Sequence, residues 1–443
     1  MQATDSNQAT ISENPGASAF GTTSATSDVS QSKVRHTGLL LVFSLSLVAY
    51  IDRSNLAVST STVLQMAHMT PVQMGIVSSV FSAAYAAFQI PGALFIRRVG
   101  TRIGVTLIVV AWSVFTLATG FAGGFLSLLL VRACFGVAEA PLFPALNQFN
   151  LHWFPVRERC LVNGIKTSGT YAASVITPPL TVFVLQTLGL KAVFLISGCL
   201  GGVAALSWFL LTRDDPALHP RVNKSELAYI QAGMDTTIRG GKVPWRRLFA
   251  SRSFWGIGLT FFCTLYVIQF FLYWLPFFLQ QHLHMSLTSM GYAASVPWIF
   301  IFVAALSIGR LSDMLYSRGY SLFLARNVLM MAGFSLAALF MFISVQIEEP
   351  WLVVLFISLG LGFAGFSGVL TWALSTDVGG EFTGVISAWM NMWGFAAATI
   401  MPTVSALIGT RFGWQYSVYT LVVAAIIGVL ATLMIVPTAK IST

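Results

Sequence analysis

Residues 38–60 read GLLLVFSLSLVAYIDRSNLAVST. The run is apolar and long enough to cross a bilayer as a helix, which takes about 20 residues. Yet it carries Asp52 and Arg53 side by side, inside Tyr50-Ile51-Asp52-Arg53-Ser54-Asn55. A guanidinium keeps its charge, and placing one at bilayer depth costs about 2.5–3.5 kcal/mol even on lenient insertion scales. A helix carries that cost only where the charge faces a cavity or a partner. The fourth apolar run adds Arg132 and Glu139. Buried charge of both signs in a membrane helix points first to transport.

Working outward, the same apolar texture fills the chain. It is 56% hydrophobic and 9% charged over 443 residues, with a mean hydropathy of +0.78. No soluble domain of that length is so apolar. Runs of about 20 apolar residues recur at 38–60, 74–95, 103–121, 124–148, 165–188, 192–212, 253–279, 292–311, 327–346, 352–375, 385–409 and 415–436. The runs are continuous, not alternating, so a β-barrel is excluded. The expected fold is all-α, with twelve transmembrane helices. The polar stretch 213–252 separates a six-helix half at 38–212 from a second at 253–436. Residues 1–37, rich in Ser, Thr, Ala, Asn and Gln over 1–32, read as a disordered tail without a signal-peptide core, and 437–443 as a short tail.

Lysine and arginine set the expected orientation. With the N-terminus in the cytoplasm, nineteen fall in cytoplasmic segments, eight of them in the central linker, while the opposite side holds Lys191 and Arg411. Such a bias puts both termini in the cytoplasm of a bacterial inner membrane. The net charge of +9 is then a topology signal, and no nucleic-acid partner is implied. Cys134, Cys160, Cys199 and Cys263 are not placed for an external disulfide and form no metal-ligand spacing with the six histidines.

The halves share a faint repeat. After the second run comes Gly92-Ala93-Leu94-Phe95-Ile96-Arg97-Arg98-Val99-Gly100-Thr101-Arg102, and after the eighth Gly309-Arg310-Leu311-Ser312-Asp313 with Arg318-Gly319. Twelve spans, a central linker and this repeat resemble the major facilitator superfamily, over essentially everything after residue 37. One departure is visible: the family's acid in the first copy is here Ile96, whereas the second copy keeps Asp313. A lock that depends on the first acid is therefore expected to be weaker or differently built.

Finer motifs resemble the anion:cation symporter branch, whose members carry sugar acids, tartrate, phthalate and sialic acid. They are Tyr50-x-Asp52-Arg53-x-Asn55, Gln89-Ile90-Pro91-Gly92, Ala138-Glu139-Ala140-Pro141-x-Phe143-Pro144, Trp153-Phe154-Pro155 and Thr167-Ser168-Gly169. The resemblance implies inward movement of an organic anion driven by cation entry, usually protons, with the aspartate and glutamate as proton sites. It also places Tyr85 at the cavity.

The residues themselves point the same way. Arg53 offers a planar fork suited to a carboxylate, and Tyr50 lies three residues before it on a neighbouring face. Asp52 and Glu139 are the two acids inside the spans, hence the candidates for proton coupling. Arg132, seven residues before Glu139 on nearly one face, is positioned to pair with an acid in one state and release it in another. Lys166 is either a lysine snorkelling at the membrane edge or a second anion contact, one turn from Thr170. Sugar-acid carriers resembled by the motif have Gln after Thr-Ser-Gly, where Thr170 stands here.

The second half has no charge deep in any span. It offers Gln269 and Tyr273, Ser367 and Thr371, and Trp389 and Trp393 as i,i+4 pairs, with Asn391 as an amide that needs a cavity or a partner. Charge and coupling are expected in the first half, and substrate shape in the second. The expected function is proton-coupled uptake of a small organic anion by a monomer in the bilayer, with no cofactor beyond the coupling ion. A compact anion with an apolar or aromatic body, or a dicarboxylate, is favoured over a polyhydroxylated monocarboxylate. The alternatives are exchange or export on the same fold, or a non-transporting sensor. A sensor needs a folded signalling domain, which a linker of about 40 residues is too short to supply. No nucleophile–base or metal constellation indicates an enzyme.

Overall fold

In the computed structural model, residues 32–155, 158–232, 245–379 and 382–438 are described. Twelve long apolar helices occupy the twelve runs: α1 Val34–Val58, α2 Pro71–Val99, α3 Thr101–Thr119, α4 Phe125–Trp153, α5 Leu161–Leu188, α6 Leu190–Leu211, α7 Arg252–Tyr273, α8 Leu287–Ser317, α9 Phe323–Ser344, α10 Pro350–Gly379, α11 Thr383–Phe412 and α12 Trp414–Leu433. Residues 1–31 and 439–443, which make up most of the two expected tails, lie outside the described residues, as do Arg157, Arg239, Lys242, Lys440 and the side chain of Cys160.

The helices run past the apolar stretches, and the reasons are non-local. α1 begins at Val34, four residues inside the stretch read as a tail, because a carboxylate meets its first amides. Glu226, on the linker helix Lys224–Ala232, accepts from Ser32 Oγ at 2.5 Å, Val34 N at 3.3 Å and Arg35 N at 3.1 Å. Those N–H groups have no partner within their own helix, and an anion there is favoured by the helix dipole. Arg35 also pairs with Glu158 at 3.5 Å and lies 4.5 Å over the Tyr229 ring, while Tyr229 donates its hydroxyl to Glu158. The linker is thus tied to the first half.

Each half is assembled the same way. In the first, α1 packs on α5 and α6, α2 on α4, and α3 on α6 and α4; in the second, α7 packs on α11 and α12, α8 on α10, and α9 on α12 and α10. Adding six to each helix number converts one list into the other, which is the structural form of the faint sequence repeat. Close packing in lipid needs small residues, and Gly92 supplies it where α2 crosses α4: a Cβ there would sit 2.3 Å from Pro141. α4 is interrupted at that proline, immediately after Glu139.

The repeated turn motif departs as the sequence implies. Ile96 is fully buried, and Asp214, at the end of α6, supplies the missing acid. It accepts from Thr101 Oγ1 and Arg102 N, both at 2.8 Å, and so caps α3. In the second copy Arg326 binds Asp313 at 3.0 Å, Asp377 at 3.2 Å and Ser312.

The halves meet through α2 against α11 and α5 against α8. Hydrogen bonds across this seam are Ser61–Gln280, Ser79–Thr403, Ser82–Tyr273, Gln186–Thr288 and Ser295 to the Val175 carbonyl. Ser61–Gln280 and Gln186–Thr288 lie at the helix ends opposite the linker, and the others run from there to mid-helix. Gly75 brings α2 so close to Pro402 that a Cβ would lie 2.7 Å from its carbonyl oxygen.

Candidate functional site

Arg53 and Glu139 find each other across the first half. The guanidinium Nε donates to both carboxylate oxygens of Glu139, at 2.9 and 3.1 Å. Glu139 is fully buried and Arg53 nearly so. Three rings enclose the cation: Tyr50 at 5.0 Å, Phe81 at 5.3 Å and Tyr85 at 4.8 Å. A desolvated cation gains about 2 kcal/mol from such faces, which helps to hold a charge that lipid would reject. Nη2 of Arg53 is buried without a hydrogen-bond partner. The guanidinium fork is therefore only partly used, and an incoming carboxylate has an edge to bind.

Arg132, expected to pair with an acid in one state and release it in another, rests here against aromatic rings. Its guanidinium lies 5.2 Å from the Phe81 ring and 4.4 Å from Phe135, and its Nε is unpaired. Among the described residues it forms no ion pair in this conformation. Asp52 is buried, with both carboxylate oxygens unpaired. It does not pair with its neighbour Arg53, because adjacent positions on a helix point in different directions. Asn55, the last residue of the motif, is structural: it donates to Ser197 and accepts from Thr181, both at 2.5 Å, tying α1 to α6 and α5.

The second half contributes from α7 and α11. The Tyr273 hydroxyl lies 3.3 Å from Ser82 Oγ and faces Arg53, Arg132 and Glu139. Gln269 is one turn nearer the linker on the same helix and is buried. Tyr85 stacks on Phe395 of α11 with centroids 4.9 Å apart, and Asn391, half-buried, is one turn from that ring. Tyr50, Asp52, Arg53, Tyr85, Arg132, Glu139 and Tyr273 thus form one cluster, with Gln269 and Asn391 beside it.

Ser367 and Thr371 are placed elsewhere. Both are fully buried within the second half. Ser367 shares a 2.8 Å hydrogen bond with Thr264 of α7, and Thr371 donates to the Ser367 carbonyl and to Met330 Sδ of α9. Here they join helices within the second half. Trp389 likewise packs face to face on Phe254, donating to its carbonyl, and Trp393 packs on Trp255 and Phe262. These two tryptophans therefore serve packing within the second half.

Lys166 binds Asn147 Oδ1 and lies 5.8 Å from the Phe143 ring, which meets Tyr50 edge-on at 6.4 Å. A run of rings thus leads from Arg53 to Lys166. Thr170 is turned to its own helix, donating to the Thr167 carbonyl at 2.7 Å. Phe81, Asn147 and Phe395 escape a sequence reading, and Phe143 enters it only as a member of a motif, since aromatics and exposed amides in spans are usually packing or edge residues. The signal for Phe143 and Asn147 was their spacing of one turn on α4, after Glu139.

Comparison with known proteins identifies the family. The sequence matches the Major Facilitator Superfamily over residues 42–402, and the chain belongs to that family. Within it the chain falls in the branch of sugar-acid and organic-acid transporters. It is 29% identical to the D-galactonate transporter of Escherichia coli O6:H1, over 92% of this chain and 96% of that protein. It is 31% identical to the probable galactarate/D-glucarate transporter GudP of Escherichia coli K12, over 93% and 95% respectively. With the probable sulfoacetate transporter SauU of Cupriavidus necator it shares 30% identity, over 91% and 94%. Among solved structures, a bacterial homologue of the lysosomal transporter Spinster superposes with a TM-score of 0.73 at 17% identity, over 92% of this chain and 98% of that one. The D-xylose–proton symporter superposes with a TM-score of 0.69 at 12% identity, over 91% and 98%; these two show the fold alone. The chain is a multi-pass membrane protein and a secondary transporter of a small organic anion.

Proposed function

We propose that this chain imports a small dianionic organic acid together with protons across a bacterial inner membrane, as a monomer, with both termini in the cytoplasm. The observation that carries the reading is the half-occupied guanidinium of Arg53, held by Glu139 at 2.9 Å and caged by Tyr50, Phe81 and Tyr85. A substrate carboxylate and the Glu139 carboxylate compete for the same fork. Protonating Glu139 frees the fork, and substrate binding favours the protonated acid, so proton and anion load together. Asp52 is the second proton site, and Arg132 is the cation that meets an acid in the other conformation. Alternating access then rocks the two halves about this site, and in the present conformation the seam is closed on the face away from the linker.

Two features favour a dianion. Lys166 with Asn147 offers a second anion contact beyond Phe143 and Tyr50. Galactarate, glucarate and sulfoacetate, named for relatives, each carry two acidic groups. Trp389 and Trp393 are engaged in packing, which withdraws support from a large aromatic body. The test is uptake of radiolabelled D-glucarate, D-galactonate and sulfoacetate into proteoliposomes, with and without an inward proton gradient. Gradient-driven accumulation of the dianions is expected. Equal exchange with no response to the gradient would assign exchange instead.

A further inference from the structure

Five buried polar atoms beside the Arg53–Glu139 pair have no partner: both carboxylate oxygens of Asp52, Trp112 Nε1, Thr116 Oγ1 and Arg132 Nε. Leaving one such group unpaired costs about 1–3 kcal/mol, so a cluster of them in one place is a feature to be explained. Trp112 and Thr116 are one turn apart on α3, and both are directed at the Asp52 carboxyl, although neither makes a well-formed hydrogen bond to it in this conformation. An indole N–H and a guanidinium N–H only donate, while a hydroxyl does either. Three donors around one acid match a carboxylate, which accepts only, better than a protonated carboxyl. α3 is held in place from behind by α6: a Cβ on Gly198 would meet Leu117 at 2.5 Å, and one on Gly201 would meet Ser113 Oγ and lie 3.7 Å from Trp112 Nε1.

We infer that Trp112 and Thr116 are positioning residues of the coupling step, forming a waiting receptor on α3 for the ionised form of Asp52. When Asp52 gives its proton to water, the two donors close on the carboxylate and stabilise it; when the proton returns, they open. The other charged groups that face Asp52 are Glu139 and Arg132, both on α4, and Arg53 adjoins it on α1. Trp112 and Thr116 add a neutral contribution that does not depend on where those charges swing. The inference rests on the reading of Asp52 as a proton site.

The test needs no substrate. Infrared difference spectra of the purified full chain in detergent, recorded from acid to alkaline pH, follow the carboxyl stretch of buried acids. The band lost in Asp52→Asn is that of Asp52. Replacing a donor destabilises the charged form, so the proton is held to higher pH. Trp112→Phe and Thr116→Val should each move the midpoint of that band alkaline by about half a pH unit or more, the scale of one hydrogen bond. Thr116→Ser should restore it. An unmoved or acid-shifted midpoint in a folded Thr116→Val protein overturns the inference while leaving Asp52 as a proton site. If Asp52→Asn removes no titrating band, it is the reading of Asp52 that fails. Should Trp112→Phe not fold, the Thr116→Val and Thr116→Ser pair decides alone.

Discussion

The two halves close the same helix pair in different ways. In the first half α1 and α4 are bridged by Arg53 and Glu139, an ion pair at 2.9 Å. In the second, the corresponding α7 and α10 are bridged by Thr264 and Ser367, two hydroxyls 2.8 Å apart. The backbones differ too, since α7 and α10 pack directly on each other while α1 and α4 are joined chiefly by these long side chains, and the bridging chemistry differs with them. A hydroxyl pair holds its geometry at any pH. An ion pair opens when its acid takes a proton or when another anion competes for its cation. On the proposed reading, one half is a scaffold with a fixed latch, and the other carries a latch that ligands open.

The largest expected effect comes from changing the cation. Arg53→Lys keeps the charge but replaces a planar fork with a point charge. Transport should fall by roughly a hundredfold, since binding both Glu139 and an incoming carboxylate needs several donors in one plane. If Arg53→Ala, properly folded, transports normally, the latch has no part in binding.

Next is Glu139→Gln, a neutral mimic of the protonated acid. Counterflow of labelled substrate should survive within a few-fold, whereas accumulation driven by a pH gradient disappears. The variant should also melt at a lower temperature, because removing one member of a buried pair costs about 3–5 kcal/mol. Retained accumulation would move coupling from Glu139 to Asp52 alone.

A smaller, selective change is expected at Lys166. One charge-assisted contact is worth about 1.5–3 kcal/mol, so Lys166→Ala should raise the KM for D-glucarate by about tenfold or more. D-Galactonate, with a single carboxylate, should be little affected. Equal losses for both would make Lys166 a structural partner of Asn147 and nothing more.

These contrasts explain what the sequence discloses and what it withholds. All twelve spans were legible because lipid demands long apolar runs, and the charged residues stood out against them. The partners were not legible. Glu139 lies 86 positions from Arg53, and the rings of Phe81 and Phe135 that hold Arg132 in this conformation come from tertiary packing. Helix ends failed for a similar reason: α1 starts at Val34 because Glu226 reaches back 191 positions to cap it. The missing acid at Ile96 was visible, but its replacement by Asp214 was not, since only the folded turn brings α6 to α3. For Ser367 and Thr371 the i,i+4 spacing correctly gives a shared face. Which neighbour that face meets is a tertiary fact.

The smallest effect follows from that last point and tests the scaffold side of the contrast. Thr264→Val removes a hydroxyl bonded to Ser367 and to the Thr260 carbonyl, while nearly preserving shape. Ser367 still donates to the Ala364 carbonyl at 2.6 Å, so no donor is stranded. The loss of stability should be only about 1 kcal/mol, read as a modest drop in melting temperature. KM for D-glucarate and the pH dependence of uptake should match the unmodified protein, because both hydroxyls are bonded within the second half. A changed pH profile would mean that the second half also carries a switch, and the division between scaffold and latch would have to be redrawn. Thermal melting and uptake measured on the same preparation separate these outcomes, since a structural defect lowers the first and leaves the second intact.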